Sequence, residues 1–225
     1  MNPTPSPRPR IFVSAVSAEF KSVRRKVDEA LRFLGYEPES MDIWGTESGD
    51  LRQLLSDKIN GCEGLVQIVG EGYGAEPPDI DPAYGQISYT QFEFLYAQAQ
   101  GKQTHLIFAG KECHRDRPVA ELDLPVDANE PDPAGYQKLR KDLQAAYWKK
   151  LWRGAHLYHT VANDIELENA ILKLRNDSDA LRQEFRQWQA NLMESQRDLL
   201  AGQKQAAVHS RKALWITLAA LGGLR

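Results

Sequence analysis

Hydrophobic positions in the first two thirds of the chain alternate between two patterns. Short apolar runs, typical of strands buried in a parallel sheet, occur at residues 11–13, 65–69 and 105–108, with weaker ones at 36–41 and 156–159. Between them, apolar residues recur every three or four positions, which predicts helices at residues 18–34, 51–60, 90–100 and 136–152. This alternation predicts a flavodoxin-like α/β fold, a doubly wound parallel sheet of about five strands.

The predicted fold also indicates where a functional site belongs. Ligands of doubly wound sheets bind at the carboxyl ends of the strands. Loops 14–17, 41–47 and 70–88 follow predicted strands, so we expect them to share that edge. Val66 and Ile68 are expected in a central strand that is covered on both faces.

The last third of the chain follows a different pattern. From Leu167 to Leu199 apolar residues follow heptad steps, with breaks at Ser178 and Ser195. Two interpretations fit residues 173–210: an amphipathic linker helix, or a coiled-coil stalk through which copies of the protein associate. Either way, a long C-terminal helix is expected after the α/β domain.

A final apolar run occupies residues 213–225, directly after Arg211 and Lys212. It is shorter than the roughly 20 apolar residues that cross a bilayer. One interpretation is a truncated transmembrane helix that anchors a cytoplasmic α/β domain to the inner face of a membrane, because basic residues favour the cytoplasmic side. The other is a hydrophobic terminus that packs on a protein partner.

Composition narrows the class of protein. The chain has 225 residues with 42% hydrophobic and 26% charged residues, a globular balance. Its net charge of −3 gives no basic field for nucleic acid, so no nucleic-acid partner is expected. Two cysteines do not make a disulfide framework, and Cys113 and His114 lack zinc-ligand spacing, so no metal site is predicted. Residues 1–9 are rich in proline and are predicted to be a disordered lead-in.

Glu93 is the candidate for chemistry. It lies in the first turn of the helix that is predicted to start near Thr90, where the helix dipole alone would stabilise a carboxylate. Alternatively, it faces the cleft, where a carboxylate could hold ribose hydroxyls and stabilise an oxocarbenium-like state. The glycine-rich loop at residues 70–74 follows the third strand and no helix opens after it, so turn glycines are the better interpretation.

Several segments together resemble the TIR-like family known as domain of unknown function 4062. They are residues 10–14 (RIFVS), 34–38 (LGYEP), 62–74, 88–94 (SYTQFEF) and 101–108, in the family's order and spacing. The resemblance covers roughly residues 10–172 and departs from the family at Gln91, where an acid is more usual, and at Glu63, where an aspartate is usual.

The resemblance implies a domain used at the N-terminus of multidomain signalling and defence proteins. Some TIR domains cleave NAD through a helix-borne glutamate, and Glu93 is the matching position. NAD would then be a substrate, and no bound cofactor is implied.

Two functions follow from these observations. The first is an intracellular signalling or defence module that self-associates through the domain and the helix or binds protein partners. The second is an NAD glycohydrolase with Glu93 as the key acidic residue. In that enzyme Tyr73 or Tyr89 stacks on the base or nicotinamide, and Ser14 or Ser17 contacts phosphate or ribose. Ser88, the predicted capping hydroxyl, completes the binding set.

Overall fold

The computed structural model describes residues 8–41, 50–154 and 156–174, together with 193, 194 and 197. The strands are β1 (Arg10–Ala15), β2 (Glu37–Glu39), β3 (Gly64–Val69), β4 (Gln103–Glu112) and β5 (Leu157–Asn163). The helices are α1 (Ser17–Phe33), α2 (Leu51–Asn60), α3 (Tyr89–Ala99), α4 (Pro133–Arg153) and α5, residues 164–174. A short 3-10 helix occupies Val119–Glu121 in the loop between β4 and α4.

The strands form one parallel sheet in the order β2-β1-β3-β4-β5. This is a doubly wound, flavodoxin-like order, so the predicted fold class is confirmed. Every residue of β3 is buried, as a mostly apolar strand in the middle of a parallel sheet is expected to be, and Gln67 is its one polar side chain. Val66 and Ile68 lie in this central strand, with helices on both faces of the sheet.

Helices cover the two faces of the sheet unequally. On one face, α1 and α5 pack against alternate residues of β1, β3 and β4, including Val13, Val66 and Ile107. On the other face, α2, α3 and α4 pack against the intervening residues, including Phe12, Leu65 and Leu106. Side chains of a strand alternate between faces, so each strand contributes to both cores.

Local signals set several boundaries that periodicity alone placed inexactly. The fourth helix begins at Pro133, three residues earlier than predicted, because Pro suits the first helical position and Asp132 accepts a hydrogen bond from the Gly135 amide. The fourth and fifth strands extend to Glu112 and Asn163, beyond the apolar runs at 105–108 and 156–159.

The predictions for the C-terminal region concern residues that the structure largely leaves undescribed. The compact unit Met1–Arg175 holds every element named above, and the unit Asn176–Arg225 has three described residues, all helical. The predicted stalk at 173–210 therefore lies outside the described residues except at five positions, and the apolar run at 213–225 lies outside them altogether. In the described part of the chain, none of the helices has the length and apolar character of a membrane span.

Candidate functional site

A cavity of about 810 Å³ opens at the carboxyl edge of the sheet. Its walls come from the β1–α1 junction (Ala15, Val16, Ser17), α3 (Tyr89, Thr90, Glu93), the loop after β4 (Arg117, Glu121, Asp123) and α4 (Tyr136, Arg140). Met41 and Gly74 also line it, so the three loops expected at this edge all reach the cavity. Its volume is within the range of small-molecule sites.

Glu93 lies in the second turn of α3, because the helix begins at Tyr89. The prediction that Glu93 occupies the first turn is therefore wrong, and the helix dipole, which falls off within that turn, does not explain this carboxyl. The side chain is 3% exposed and borders the cavity. The ionisation of a carboxyl that is buried at this depth must therefore be explained by its other surroundings.

Burial dominates the electrostatics of Glu93. It raises the pKa of the carboxyl from 4.5 to about 7, against the opposing effects of a hydrogen bond from Ser14 and the positive charge of Arg24. The Ser14 Oγ–Glu93 Oε2 distance is 2.5 Å. A carboxyl with a pKa near neutrality exchanges its proton at physiological pH, a property that enzymes use in general acids and bases.

A chain of buried hydrogen bonds supports Glu93 from behind. Ser14 and Gln67 are paired neighbours on β1 and β3. The Gln67 amide nitrogen donates to Ser14 Oγ at 3.1 Å and to the Thr90 carbonyl at 2.6 Å. The Tyr147 hydroxyl donates to the Gln67 amide oxygen at 2.7 Å. This chain joins two strands and two helices beneath the cavity.

A second carboxyl, Glu19, holds the glycine-rich loop. It is fully buried and accepts hydrogen bonds from the Glu71 and Gly72 amides and from Arg115 Nε, at 3.1, 2.7 and 2.8 Å. A side chain at Gly70 would collide with Phe20 and Glu19, so glycine is required there.

Asp123 continues the same arrangement, with its two carboxylate oxygens accepting from the amides of Tyr73 and Gly74 at 2.8 and 2.9 Å. The four successive amides at residues 71–74 therefore donate to carboxylates of the protein itself. A phosphate has no place on them, in agreement with the interpretation of turn glycines.

The outer wall of the cavity carries two arginines in different states. Arg140 pairs with Glu76 at 2.5 Å, and its guanidinium lies 4.0 Å from the centre of the Tyr136 ring. Arg117 is exposed, and the structure gives it no hydrogen bond or ion pair with any described residue. A cation left free at a cavity wall is suited to an anionic ligand group.

The predicted binding residues divide into two groups. Ser17 and Tyr89 line the cavity beside Glu93. The Ser17 hydroxyl accepts a hydrogen bond from Arg24, whose guanidinium also binds the Ala15 carbonyl. A contact of Ser17 and Tyr89 with a ligand stays a prediction.

The other three predicted binding residues are not placed to touch a ligand. Ser14 is buried and contacts Glu93 instead. Ser88 is buried and caps α3, accepting from the Gln91 amide at 3.3 Å. Tyr73 is fully buried, with its hydroxyl donated to Glu76, so its ring has no face for stacking. In the structure these three side chains make supporting contacts, to Glu93, to the start of α3 and to Glu76.

Possible metal ligands do not cluster in the part of the chain that the structure describes. No group of three His, Cys, Asp or Glu residues there is placed to hold an ion. Cys62 and Cys113 are both buried and unpaired as disulfides, and burial raises the pKa of each thiol, to about 12 for Cys62.

The topology and the buried acid at the strand ends define a flavodoxin-like α/β domain with a ligand-sized cavity. The model of the family described as Domain of unknown function (DUF4062) matches residues 10–174. The chain belongs to this family, as the sequence resemblance implied. Comparison with curated proteins gave no match.

Two solved structures are similar to this chain at low identity. One is the TIR domains of the activated Roq1 resistosome that recognises the pathogen effector XopQ, with 11% identity, a TM-score of 0.37, and coverage of 74% of this chain and 83% of that one. The other is the CMP N-glycosidase BcmB of Clostridium botulinum, with 16% identity, a TM-score of 0.32, and coverage of 73% and 96%. Values this low do not extend the activity of either protein to this chain.

Proposed function

We propose that the cavity binds a nucleotide such as NAD and that Glu93 takes part in cleaving its N-glycosidic bond. The observation that carries this proposal is the position of Glu93, an almost fully buried acid at the wall of a cavity large enough for a ligand. Burying an ionisable group reduces stability unless partners compensate it. The Ser14 hydroxyl is the one hydrogen-bond partner of the Glu93 carboxyl among the described residues.

The chemistry proposed for Glu93 is that of a carboxylate beside a developing oxocarbenium ion. In its ionised form the carboxylate accepts hydrogen bonds from ribose hydroxyls and stabilises positive charge on the sugar as the bond to the base breaks. The base leaves with the bonding electrons, and water adds to the sugar carbon and loses a proton. Because the pKa of Glu93 lies near 7, the reactive form increases as the pH rises through neutrality. The expected rate therefore rises between about pH 6 and pH 8.

Other cavity residues suit the remaining parts of a nucleotide. Tyr89 and Tyr136 offer aromatic rings for a base or a nicotinamide, and Arg117 offers a guanidinium for a phosphate. Ser17 is placed at the β1–α1 junction, where its hydroxyl can reach ribose or phosphate. This arrangement follows the predicted roles of Ser17 and Tyr89 and replaces Tyr73 with Tyr136.

The test is product formation. Wild-type protein and the variants Glu93→Gln and Glu121→Gln are incubated with NAD, and nicotinamide is followed by chromatography at low and high protein concentration. Glu121 is an exposed acid at the same cavity and serves as the matched control. We expect nicotinamide from the wild type and from Glu121→Gln, and none from Glu93→Gln. No nicotinamide from the wild type at any concentration, or equal amounts from Glu93→Gln, would contradict the proposal.

A second candidate function is an intracellular signalling or defence module that self-associates. The observation that favours it is an aromatic patch at β5, the last strand of the sheet in the described residues. Trp152, Leu157 and Tyr158 are 45%, 47% and 49% exposed, and the Trp152 and Tyr158 rings lie 5.0 Å apart. Exposed apolar side chains along an edge strand are typical of association surfaces.

This candidate is tested by light scattering on the full chain. Replacing Trp152 and Tyr158 by serine is expected to lower the mass of the assembly, whereas replacing the exposed Ile80, which lies outside the patch, by serine is expected to leave it unchanged. A wild-type monomer at all concentrations would exclude self-association through this patch. The coiled coil at residues 173–210 and the membrane anchor at residues 213–225 stay predictions.

A further inference from the structure

Gln67 is a polar residue at the centre of the most buried strand of the sheet. We propose that Gln67 and Tyr147 are positioning residues, which direct the hydroxyl of Ser14 at Glu93 and so fix the carboxyl at the cavity wall. The purpose of this arrangement rests on the proposed function, but the arrangement itself is testable without any substrate.

The orientation of the Gln67 amide follows from its partners. The Thr90 carbonyl can only accept a hydrogen bond, so the amide nitrogen must face it. The amide oxygen then faces Tyr147, whose hydroxyl must donate to it. Burial raises the pKa of the Tyr147 hydroxyl well above its usual value, and the nearby Glu93 charge adds to the rise, so this donor keeps its proton.

The second hydrogen of the same amide group sets the direction of the Ser14 hydroxyl. The Gln67 nitrogen donates to Ser14 Oγ, which occupies one lone pair of that oxygen. The remaining partner of Ser14 is Glu93 Oε2, so the hydroxyl hydrogen points at the carboxyl. A Gln67 amide turned the other way would compete for that hydrogen, and Glu93 would lose its donor.

Two further groups among the described residues interact electrostatically with Glu93. The positive charge of Arg24 on α1 favours the ionised form of the carboxyl, and the Glu93 charge raises the pKa of the Tyr147 phenol on α4. Loss of the Ser14 donor should therefore appear directly as a higher pKa of Glu93, since that bond favours the charged form.

The experiment measures the ionisation of Glu93 by carbon NMR on protein carrying labelled glutamate, with Glu93→Gln assigning the signal. Ser14→Ala and Gln67→Leu are each expected to raise the pKa of Glu93 by about one pH unit, the equivalent of one hydrogen bond to a charged group. Tyr147→Phe keeps the Thr90 contact and is expected to cause a smaller rise.

Gln144→Leu is the matched control. Gln144 is also a buried glutamine, on the same helix as Tyr147, but its amide bonds Gln91 and the Gly70 carbonyl instead. The variant Gln144→Leu should therefore leave the pKa of Glu93 unchanged. An equal rise in this control, or no rise in Ser14→Ala, would overturn the proposal even if Gln67→Leu fails to fold. Absence of NAD cleavage in the wild type would overturn the proposed function and leave this readout intact.

Discussion

Glu19 and Glu93 are both buried carboxyl groups near the carboxyl edge of the sheet, yet their surroundings differ sharply. Glu19 of α1 accepts two backbone amides and the guanidinium of Arg115, all within 3.1 Å. Glu93 of α3 accepts a hydrogen bond from the Ser14 hydroxyl, its one hydrogen-bond partner among the described residues, and borders a cavity. The first is compensated by its partners, whereas burial keeps the pKa of the second high.

The difference separates a structural carboxyl from a candidate functional one. A buried charge with several donors stabilises the conformation that supplies those donors, here the loop at residues 70–74. A buried carboxyl with one hydrogen-bond donor destabilises the fold. Ionisable residues with strongly shifted pKa values are concentrated at functional sites. Burial and acidity alone do not distinguish the two; the number of donors and the adjoining cavity do.

Removing Glu19 should have the largest effect on folding. Glu19→Ala leaves Arg115 without its buried partner and two amides without acceptors, so the free energy of unfolding should fall by about 3–5 kcal/mol. Glu29→Ala, an exposed acid on the same helix, should change it by less than about 0.5 kcal/mol. Denaturant unfolding of both variants checks this, and a loss below about 1 kcal/mol for Glu19→Ala would show that the loop does not depend on it.

Removing Asp123 should also lower the free energy of unfolding, but by less than removing Glu19. Asp123→Ala removes both acceptors of the Tyr73 and Gly74 amides and places alanine at a φ of 60°, so a loss of about 1–3 kcal/mol is expected. Asp123→Asn keeps one acceptor and tolerates the left-handed backbone, and should lose less. Equal losses in urea unfolding would mean that the hydrogen bonds to the loop contribute little.

Replacing Arg117 should weaken ligand binding and leave the stability of the fold almost unchanged. Arg117 is exposed and has no hydrogen bond or ion pair with a described residue, so Arg117→Ala should change the free energy of unfolding by less than about 0.5 kcal/mol. If Arg117 binds a phosphate, binding of NAD measured by calorimetry should weaken about fivefold, the equivalent of roughly 1 kcal/mol. Unchanged affinity would place the phosphate elsewhere.

The sequence predicts the fold well because the strongest signals come from burial. The mostly apolar run from Leu65 to Val69 is typical of a strand covered on both faces, and the helical spacing around it indicates the alternation of elements. Boundaries are less predictable, since they depend on caps and on strand pairing. Asn163, for example, joins β5 through its pairing with Glu112, which no local apolar pattern indicates.

The site is predictable only in part, because its contacts join residues far apart in the chain. Glu93 could be proposed from the helix that carries it, but the acid–serine contact spans 79 residues and the Tyr147–Gln67 contact spans 80. One signal was present in the sequence: Gln67 is a polar residue inside the run from Leu65 to Val69. Such a residue needs hydrogen-bond partners, so it marks a buried network.

The most direct measurement is the free energy of unfolding of wild type and Glu93→Gln at pH 5 and pH 8. Folded Glu93 keeps its proton up to about pH 7, whereas the unfolded carboxyl loses it near 4.5, so wild-type stability falls as the pH rises through this window. The shift corresponds to on the order of 3 kcal/mol. Glutamine does not titrate, so Glu93→Gln should gain about that much over wild type between pH 5 and pH 8. If the free energy of unfolding changed equally with pH in the wild type and in Glu93→Gln, the claim that Glu93 is a destabilising carboxyl at the cavity would be contradicted.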